Sequence, residues 1–554
     1  MKISQLSDQY SVSEQITEAD IDQLASKGVQ TLICNRPDNE AADQTAFADI
    51  AQKAESLGIK AVSIAFTGTQ MSDRQISELA DILAGNQRVH AYCRTGNRST
   101  KIWQAVQALT DQTKADQTKE NQTTIEQDRA SQGSNPSPGA EVKKTTAAHC
   151  AKPTYTVVIV GAGTAGIAVA TSLLKRKAKI RICLIDPAEQ HAYQPGWTMV
   201  GGGVFDVETT LRPMHTVIPD ETTWLKNAVT RFDPDNNRVH LDDGSEIYYN
   251  HLVVAAGLEI HWAGIKGLPE TLGKNGVTSN YSYKTAPYTW ELVSSLKGGK
   301  AVFTQPPMPI KCAGAPQKAM YLSASHWRRN SVLDKFDIGF YNAGGVLFGV
   351  PAYVPALQSY VERYAIHLNF LHNLIAVDGD NKTATFTHTP AEGEAREVNV
   401  DFDMLHVCPP QRAPEFIRNS PLADAAGWVD VHPQTLQHTR FNNVWGLGDV
   451  TNTPNAKTMA AARKQAPLLA HNICATLDKL PPSAHYTGYG SCPLTVEHGK
   501  IVLAEFGYEG KLLPTFPTWI NDGTKATSQA WHLKADFLPW FYWNGMLKGR
   551  EWLV

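Results

Sequence analysis

The chain has 554 residues, 42% hydrophobic and 19% charged, with a formal net charge of -3. At roughly 150 residues per domain, that length predicts several domains and a large core. The near-neutral charge excludes the basic footprint of a nucleic-acid binder, and no apolar run reaches the about 18 residues that a membrane-spanning helix needs.

Met1-Lys2-Ile3-Ser4-Gln5 leads into polar sequence with no apolar signal region. The eight cysteines (Cys34, Cys93, Cys150, Cys183, Cys312, Cys408, Cys474 and Cys492) are dispersed, with no Cys-x-x-Cys. This usage predicts a reduced, cytosolic chain, in which a disulfide would be catalytic rather than structural. No metal ligand set is expected.

The first module, residues 1–110, alternates strands and helices. Strands are predicted over Val29–Cys34, Lys60–Ala65 and Val89–Tyr92. Helices are predicted along the apolar face Phe47, Ile50, Ala54 and over Gln75–Leu83. Cys93-Arg94-Thr95-Gly96-Asn97-Arg98-Ser99 follows, then a helix from about Thr100. A cysteine between a strand end and a helix N-terminus faces backbone N–H donors and the positive end of the dipole. Arg94 and Arg98 add charge. Such surroundings lower a thiol pKa and bind anions. Cys93 and Arg98 are therefore candidate catalytic residues; the alternative is a cysteine in a tight turn.

This module resembles the beta-lactamase-hydrolase-like family, with a dual-specificity-phosphatase-like α/β fold. Asn35-Arg36-Pro37-Asp38 also matches that family. Tyrosine-phosphatase loops are longer, however. Only four residues separate Cys93 from Arg98, the length of a rhodanese loop. The resemblance implies a sulfurtransferase or a cysteine-dependent phosphatase. Asp38 would be the general acid of the latter, or a turn residue.

Residues 111–152 are polar and repetitive, as in Asp111-Gln112-Thr113-Lys114 and Asp116-Gln117-Thr118-Lys119. Such composition predicts a flexible linker.

The second module opens on Val157-Val158-Ile159-Val160 and Gly161-Ala162-Gly163-Thr164-Ala165-Gly166. Asp186 ends the next strand, 20 residues past Gly166. Gly161 allows the tight turn, Gly163 lets backbone approach a pyrophosphate, Gly166 lets helix and strand pack, and Asp186 can hold ribose hydroxyls. Leu252-Val253-Val254-Ala255-Ala256-Gly257 predicts a buried strand returning toward this site. Val444-Trp445-Gly446-Leu447-Gly448-Asp449 predicts a strand that ends with a carboxylate beside the cofactor. The pairing points to FAD in a Rossmann-like fold with two dinucleotide-binding domains: 153–279 with 390–490 for FAD, and 280–389 as a second domain. That second domain has Phe336 to Gly345 but no Gly-x-Gly-x-x-Gly, so a nicotinamide substrate is not expected.

Two further cysteines have unusual neighbours. Cys312 lies between Lys311 and Lys318, and Cys492 lies 180 residues later in Tyr489-Gly490-Ser491-Cys492-Pro493-Leu494. Residues 154–554 resemble the sulfide:quinone oxidoreductases, in the form found in mitochondria and some bacteria. Matching segments include Tyr193-Gln194-Pro195-Gly196-Trp197-Thr198, Lys311 to Lys318, Met404-Leu405-His406-Val407, Cys492-Pro493-Leu494 and Lys534-Ala535-Asp536. The resemblance implies that Cys312 and Cys492 form the redox pair, with the persulfide on Cys312. It implies hydrogen sulfide and quinone as substrates, a small thiol such as glutathione as sulfur acceptor, and Gln194 at the FAD site. Lys457, before a helix start, would stabilise a reduced flavin or be a solvated lysine. A third active cysteine known in some relatives has no counterpart, since Cys183 falls in a predicted strand. The rival reading is an NADH-dependent flavin disulfide reductase.

The C-terminal segment, 491–554, ends on Trp531 to Lys548, rich in aromatics with basic residues at both ends. It predicts a membrane-interface anchor, or else a core-packing tail. Together these readings predict a peripheral protein on the cytoplasmic face of a membrane.

Overall fold

Short, wholly buried strands need helices on both faces of a parallel sheet, and the N-terminal unit supplies them. The computed structural model describes residues 3–107 and 154–552, except 8, 39, 41–43, 67–70, 72, 86–87 and 391–392. The chain divides into two compact units, Met1–Ala147 and Ala148–Val554. The expected linker over 111–152 lies outside the described residues.

Across the first unit's sheet the strands run Ile3–Gln5, Tyr10–Ser13, Val89–Tyr92, Thr31–Cys34 and Lys60–Ser63. Only the first pair is antiparallel. Strand alternation sends Ile33, Val89 and Ala91 to a core with Leu79, Ile102 and Val106. It sends Leu32, Cys34 and Tyr92 to another with Ile21, Leu24 and Ile50. Helices Glu18–Ser26 and Phe47–Ser56 thus cover one face, and Asp73–Ala84 and the helix over 97–107 the other. The last of these starts earlier than Thr100, because Gly96 (φ +82°) turns the chain at once.

In the second unit, Thr154–Val160 sits between Ile182–Ile185 and Glu246–Val254, all parallel, and Val444–Gly446 joins beside Glu246–Val254. The helix Thr164–Arg176 follows the glycine turn. A Cβ on Gly161 (φ +100°) would sit 2.6 Å from the Ala255 carbonyl oxygen, and one on Gly166 would sit 1.8 Å from the Gly161 carbonyl oxygen. At Gly163 no atom lies within 4 Å of that position. Two glycines therefore serve chain-to-chain contact, and the third faces open space.

A second sheet holds five parallel strands in the order Val277–Thr278, Met404–His406, Gly299–Gln305, Phe336–Asn342 and His367–Phe370. It extends beyond 280–389 at both ends. After Phe336–Asn342, the Asn342 side chain accepts the Gly344 N–H at 2.8 Å and donates to the Val346 carbonyl at 2.9 Å. This turn thus spends its polar groups on itself. An antiparallel hairpin, Gly490–Glu497 with Lys500–Phe506, carries Cys492.

The aromatic C-terminal stretch is divided. Phe541, Tyr542, Trp543, Met546 and Leu547 are buried in the core of the dinucleotide domain, and the Tyr542 hydroxyl lies 2.6 Å from both Thr164 Oγ1 and His191 Nε2. Trp540 stays 48% exposed. Most of the stretch is therefore a core-packing tail.

Candidate functional site

One cavity of about 550 Å³ runs through the second unit from the glycine turn to the C-terminal helices. Gly161, Gly163, Asp186, Gly257, Gln194, Asp449 and Lys457 all line it. Asp186 accepts the backbone N–H groups of Ala162 at 2.7 Å and Ala188 at 2.8 Å. It therefore ties the glycine turn to its own strand end and keeps lone pairs for a ligand. Gly257 takes φ +68°. Lys311 donates to Gln194 Oε1 and lies 3.6 Å from Asp449.

Lys457 is buried, not solvated. Its ammonium donates to the Asp449 and Thr451 carbonyls at 2.9 and 2.6 Å and lies 4.1 Å from the centre of the Trp428 ring. Burial lowers its pKa to about 8, against the charges of Asp449 and Asp424. The adjoining helix, Met459–Leu477, starts at an N-cap whose Thr458 side chain accepts the Ala461 N–H. Its first turn lines the cavity, so a positive helix end faces it.

These walls fit a flavin dinucleotide. Gly163 leaves room for close approach. Trp197 Nε1 and both polar atoms of the Asn280 amide are buried without a partner, in side chains that line the cavity. Buried donors and acceptors of that kind normally meet a group that satisfies them.

Cys312 and Cys492 lie in the same place. Cys312 precedes the helix Ala315–Arg329 and takes a left-handed backbone, φ +51°, sparsely populated for a residue with a side chain. Its N–H is fixed by the Lys457 carbonyl at 2.9 Å. Its sulfur lies 3.6 Å from that of Cys492, so both are thiols in contact, and the Lys318 ammonium donates to it at 3.2 Å. The hydrogen bond from Cys492, with the charge of Lys318, holds Cys312 well below the ordinary thiol value despite burial. The same contact and burial push Cys492 up. Lys534 is also buried here, and burial with repulsion from Lys318 brings it down to about 7. Sequence reasoning matched Lys534 but assigned it no role; only the folded chain brings it to the thiols. Cys183 lies in Ile182–Ile185, where burial raises it to about 12.

In the first unit, Cys93 is 1% exposed. Burial would raise its pKa; the N–H groups of Ser99, Thr95 and Arg98 and the Ser99 side chain outweigh burial and lower it. Arg98 hydrogen-bonds Cys93 but also pairs with both Glu40 oxygens, at 2.7 and 2.6 Å. Arg36 reaches the same carboxylate at 3.1 Å. Arg94 is exposed. Asp38 accepts the Phe47 N–H at 3.0 Å, so it serves the start of the helix Phe47–Ser56. Glu40 was not foreseen; its place in the Arg36-Pro37-Asp38 loop is its only sequence signal.

Residues 2–110 match the family described as beta-lactamase hydrolase-like protein, phosphatase-like domain, and residues 155–290 match pyridine nucleotide-disulphide oxidoreductase. The chain is 41% identical over 405 residues to the mitochondrial sulfide:quinone oxidoreductase of Mus musculus, spanning 73% of this chain and 89% of the mouse protein. The chain belongs to the sulfide:quinone oxidoreductase family. It is 44% identical over 397 residues to the mitochondrial sulfide:quinone oxidoreductase of Dictyostelium discoideum, spanning 71% of this chain and 86% of that one. The crystal structure of the Aquifex aeolicus sulfide:quinone oxidoreductase matches at TM-score 0.59 and 20% identity, over 71% of this chain and 92% of that one. This shows a shared fold. Family membership makes the chain a flavin-dependent oxidoreductase.

The electrostatics predict unequal thiols. Iodoacetamide should alkylate Cys312 faster than Cys492, because the thiolate is favoured at Cys312 and disfavoured at Cys492. Lys318→Met should move the pH midpoint of Cys312 alkylation upward by about one unit, the loss of one neighbouring charge. Peptide mass spectrometry reads both rates.

Proposed function

We propose that this sulfide:quinone oxidoreductase oxidises sulfide at Cys312 and Cys492, with FAD held along Gly161, Gly163, Asp186, Gly257 and Asp449. The observation that carries the reading is the 3.6 Å approach of the two sulfurs with Lys318 at 3.2 Å, at the wall of a dinucleotide-shaped cavity. A bridge between the two, disulfide or sulfur-extended, is opened by hydrosulfide. A new S–S bond forms at Cys312, and Cys492 leaves with the electron pair, steadied by Lys318 and Lys534. Cys312 lines the cavity and Cys492 does not, which favours the persulfide on Cys312. An external thiol such as glutathione takes the sulfane sulfur, and the bridge re-forms. Bound FAD supplies the two-electron acceptor between the thiols and the quinone. Lys457 would set positive charge beside it.

For the first unit we favour sulfur transfer at Cys93 over phosphate hydrolysis. The Glu40 carboxylate already engages Arg98 through both oxygens, which disfavours a bidentate grip on a phosphate dianion and leaves a nest of N–H groups suited to a persulfide anion. Asp38, engaged at a helix start, is not poised as an acid.

The quinone reaches the cavity where Pro493, Leu503, Phe516, Leu533 and Leu538 line it. Three residues past Phe516, Trp519 is 83% exposed, with Ile520 at 45% and Trp540 at 48%. Exposed tryptophans beside an apolar opening suit lipid headgroup depth. Among the described residues no helix is long and apolar enough to cross a membrane. The reading is a peripheral protein at a membrane surface. The dispersed cysteines, with no Cys-x-x-Cys, support a reducing compartment, hence the cytoplasmic face.

Cys312→Ser or Cys492→Ser should abolish sulfide-dependent quinone reduction while FAD stays bound by its visible spectrum; wild-type turnover in either would overturn the pair. The full chain should transfer sulfur from glutathione persulfide to a thiol, lost in Cys93→Ser, whereas Cys93-dependent hydrolysis of aryl phosphates without sulfur transfer would favour the phosphatase. Trp519→Ser with Trp540→Ser should weaken co-sedimentation with lipid vesicles by about tenfold and slow reduction of long-tailed quinones only.

A further inference from the structure

Reducing a quinone to a quinol consumes two protons as well as two electrons, and the apolar end of the cavity holds one carboxylate. Glu505 is 5% exposed and lines the cavity with Tyr489 and Thr515. Its Oε1 accepts the hydroxyls of Tyr489, at 2.5 Å, and Thr515; its Oε2 accepts the Thr515 N–H at 3.0 Å. The other two acids in the cavity wall, Asp186 and Asp449, belong to the glycine turn and to Lys311.

The hairpin register explains the placement. Ser491 pairs with Glu505, Cys492 with Ala504 and Pro493 with Leu503. Successive strand residues point to opposite faces. Cys492, Leu494, Val502 and Ala504 therefore enter the core beside Cys312, whereas Ser491, Pro493, Leu503 and Glu505 face the cavity. Cys492 lies on one face of the ribbon and Glu505 on the other.

We propose that Glu505 is the acid that protonates the quinone, with Tyr489 and Thr515 holding its carboxyl in place. This rests on the quinone occupying the apolar end of the cavity. The Oε–H bond of Glu505 breaks as the quinol O–H forms, and the carboxylate is reloaded from water. The electrons come from sulfide, so hydrosulfide, one proton and quinone give sulfane sulfur and quinol. The groups facing Glu505 are Arg463 and Lys464 of the helix Met459–Leu477, Tyr489, and Tyr353, whose hydroxyl bonds the Glu505 backbone. An acid so placed can deliver a proton where the apolar wall excludes water.

The test separates the half-reactions in the flavin-loaded full chain by stopped flow. Sulfide is first used to bleach the flavin; the reduced enzyme is then mixed with a short-tailed ubiquinone analogue. Glu505→Gln should leave sulfide-driven bleaching within twofold. It should lower the limiting rate of reoxidation by at least tenfold and abolish the fall of that rate with rising pH that the proposal expects of wild type. Glu505→Asp should keep the pH dependence at a reduced rate, and it decides the matter if Glu505→Gln does not fold. An unchanged limiting rate and pH profile, or equal slowing of both half-reactions, would overturn the proposal. Leu503→Trp should raise the half-saturating quinone concentration at least tenfold. If it does not, the quinone placement fails; if it does while Glu505→Gln is silent, only the proton role fails.

Discussion

Two ammonium groups buried beside two thiols are the constraint around which the larger unit is organised. A buried charge costs several kcal/mol unless partnered. Lys318 meets this cost through Cys312, where its attraction to the thiols outweighs the burial that would discharge it. Lys534 has no such bond, and burial brings its pKa down toward neutrality. Holding that arrangement takes parts from distant sequence: the helix Ala315–Arg329, the hairpin strand Gly490–Glu497 and the C-terminal segment. The backbone bond from Cys312 to Lys457 ties it to the dinucleotide side, so thiols and cofactor wall share one frame.

The dinucleotide half was legible because its geometry is local. Gly161, Gly163 and Gly166 have three different steric environments, each following from a spacing of a few residues, and Asp186 lies one strand on. The Cys312–Cys492 pair was not legible from its own surroundings. It is 180 residues apart, and neither flank carries a short-range pattern; only the family resemblance joined the two. The aromatic C-terminal stretch was only partly legible for a related reason. Composition does not say which side of a helix turns inward, and Tyr542 found partners in Thr164 and His191 that no local rule reveals. The most exposed large apolar residue near that end, Trp519, lies in a loop without periodicity.

In the smaller unit three of the five strands could be read from the sequence, whereas Ile3–Gln5, Tyr10–Ser13 and the strand order could not. Nor could the charge state of the Cys93 loop. Arg98 read as a free cation is an anion receptor; Arg98 clasped by Glu40 has its guanidinium fork already engaged. Glu40 lies 58 residues away, on a loop whose sequence suggests a turn and nothing more. Thiol activation then falls to backbone N–H groups, which any sequence supplies and no motif spells out.

The ribbon that carries Cys492 separates that one thiol from the cavity its other face lines. A strand's two faces alternate residue by residue, so inserting or deleting a single residue between Ser491 and Thr495 would exchange the two compartments wholesale. Length variation in this ribbon can be absorbed only in pairs or at its tip, near His498 and Gly499. Individual side chains can drift while the spacing stays fixed, and parity of length rather than identity of residue becomes the inherited quantity. A thiol that must leave a bridge and later re-form it has, in that parity, a fixed place behind the ribbon, away from the cavity that Ser491 and Glu505 face.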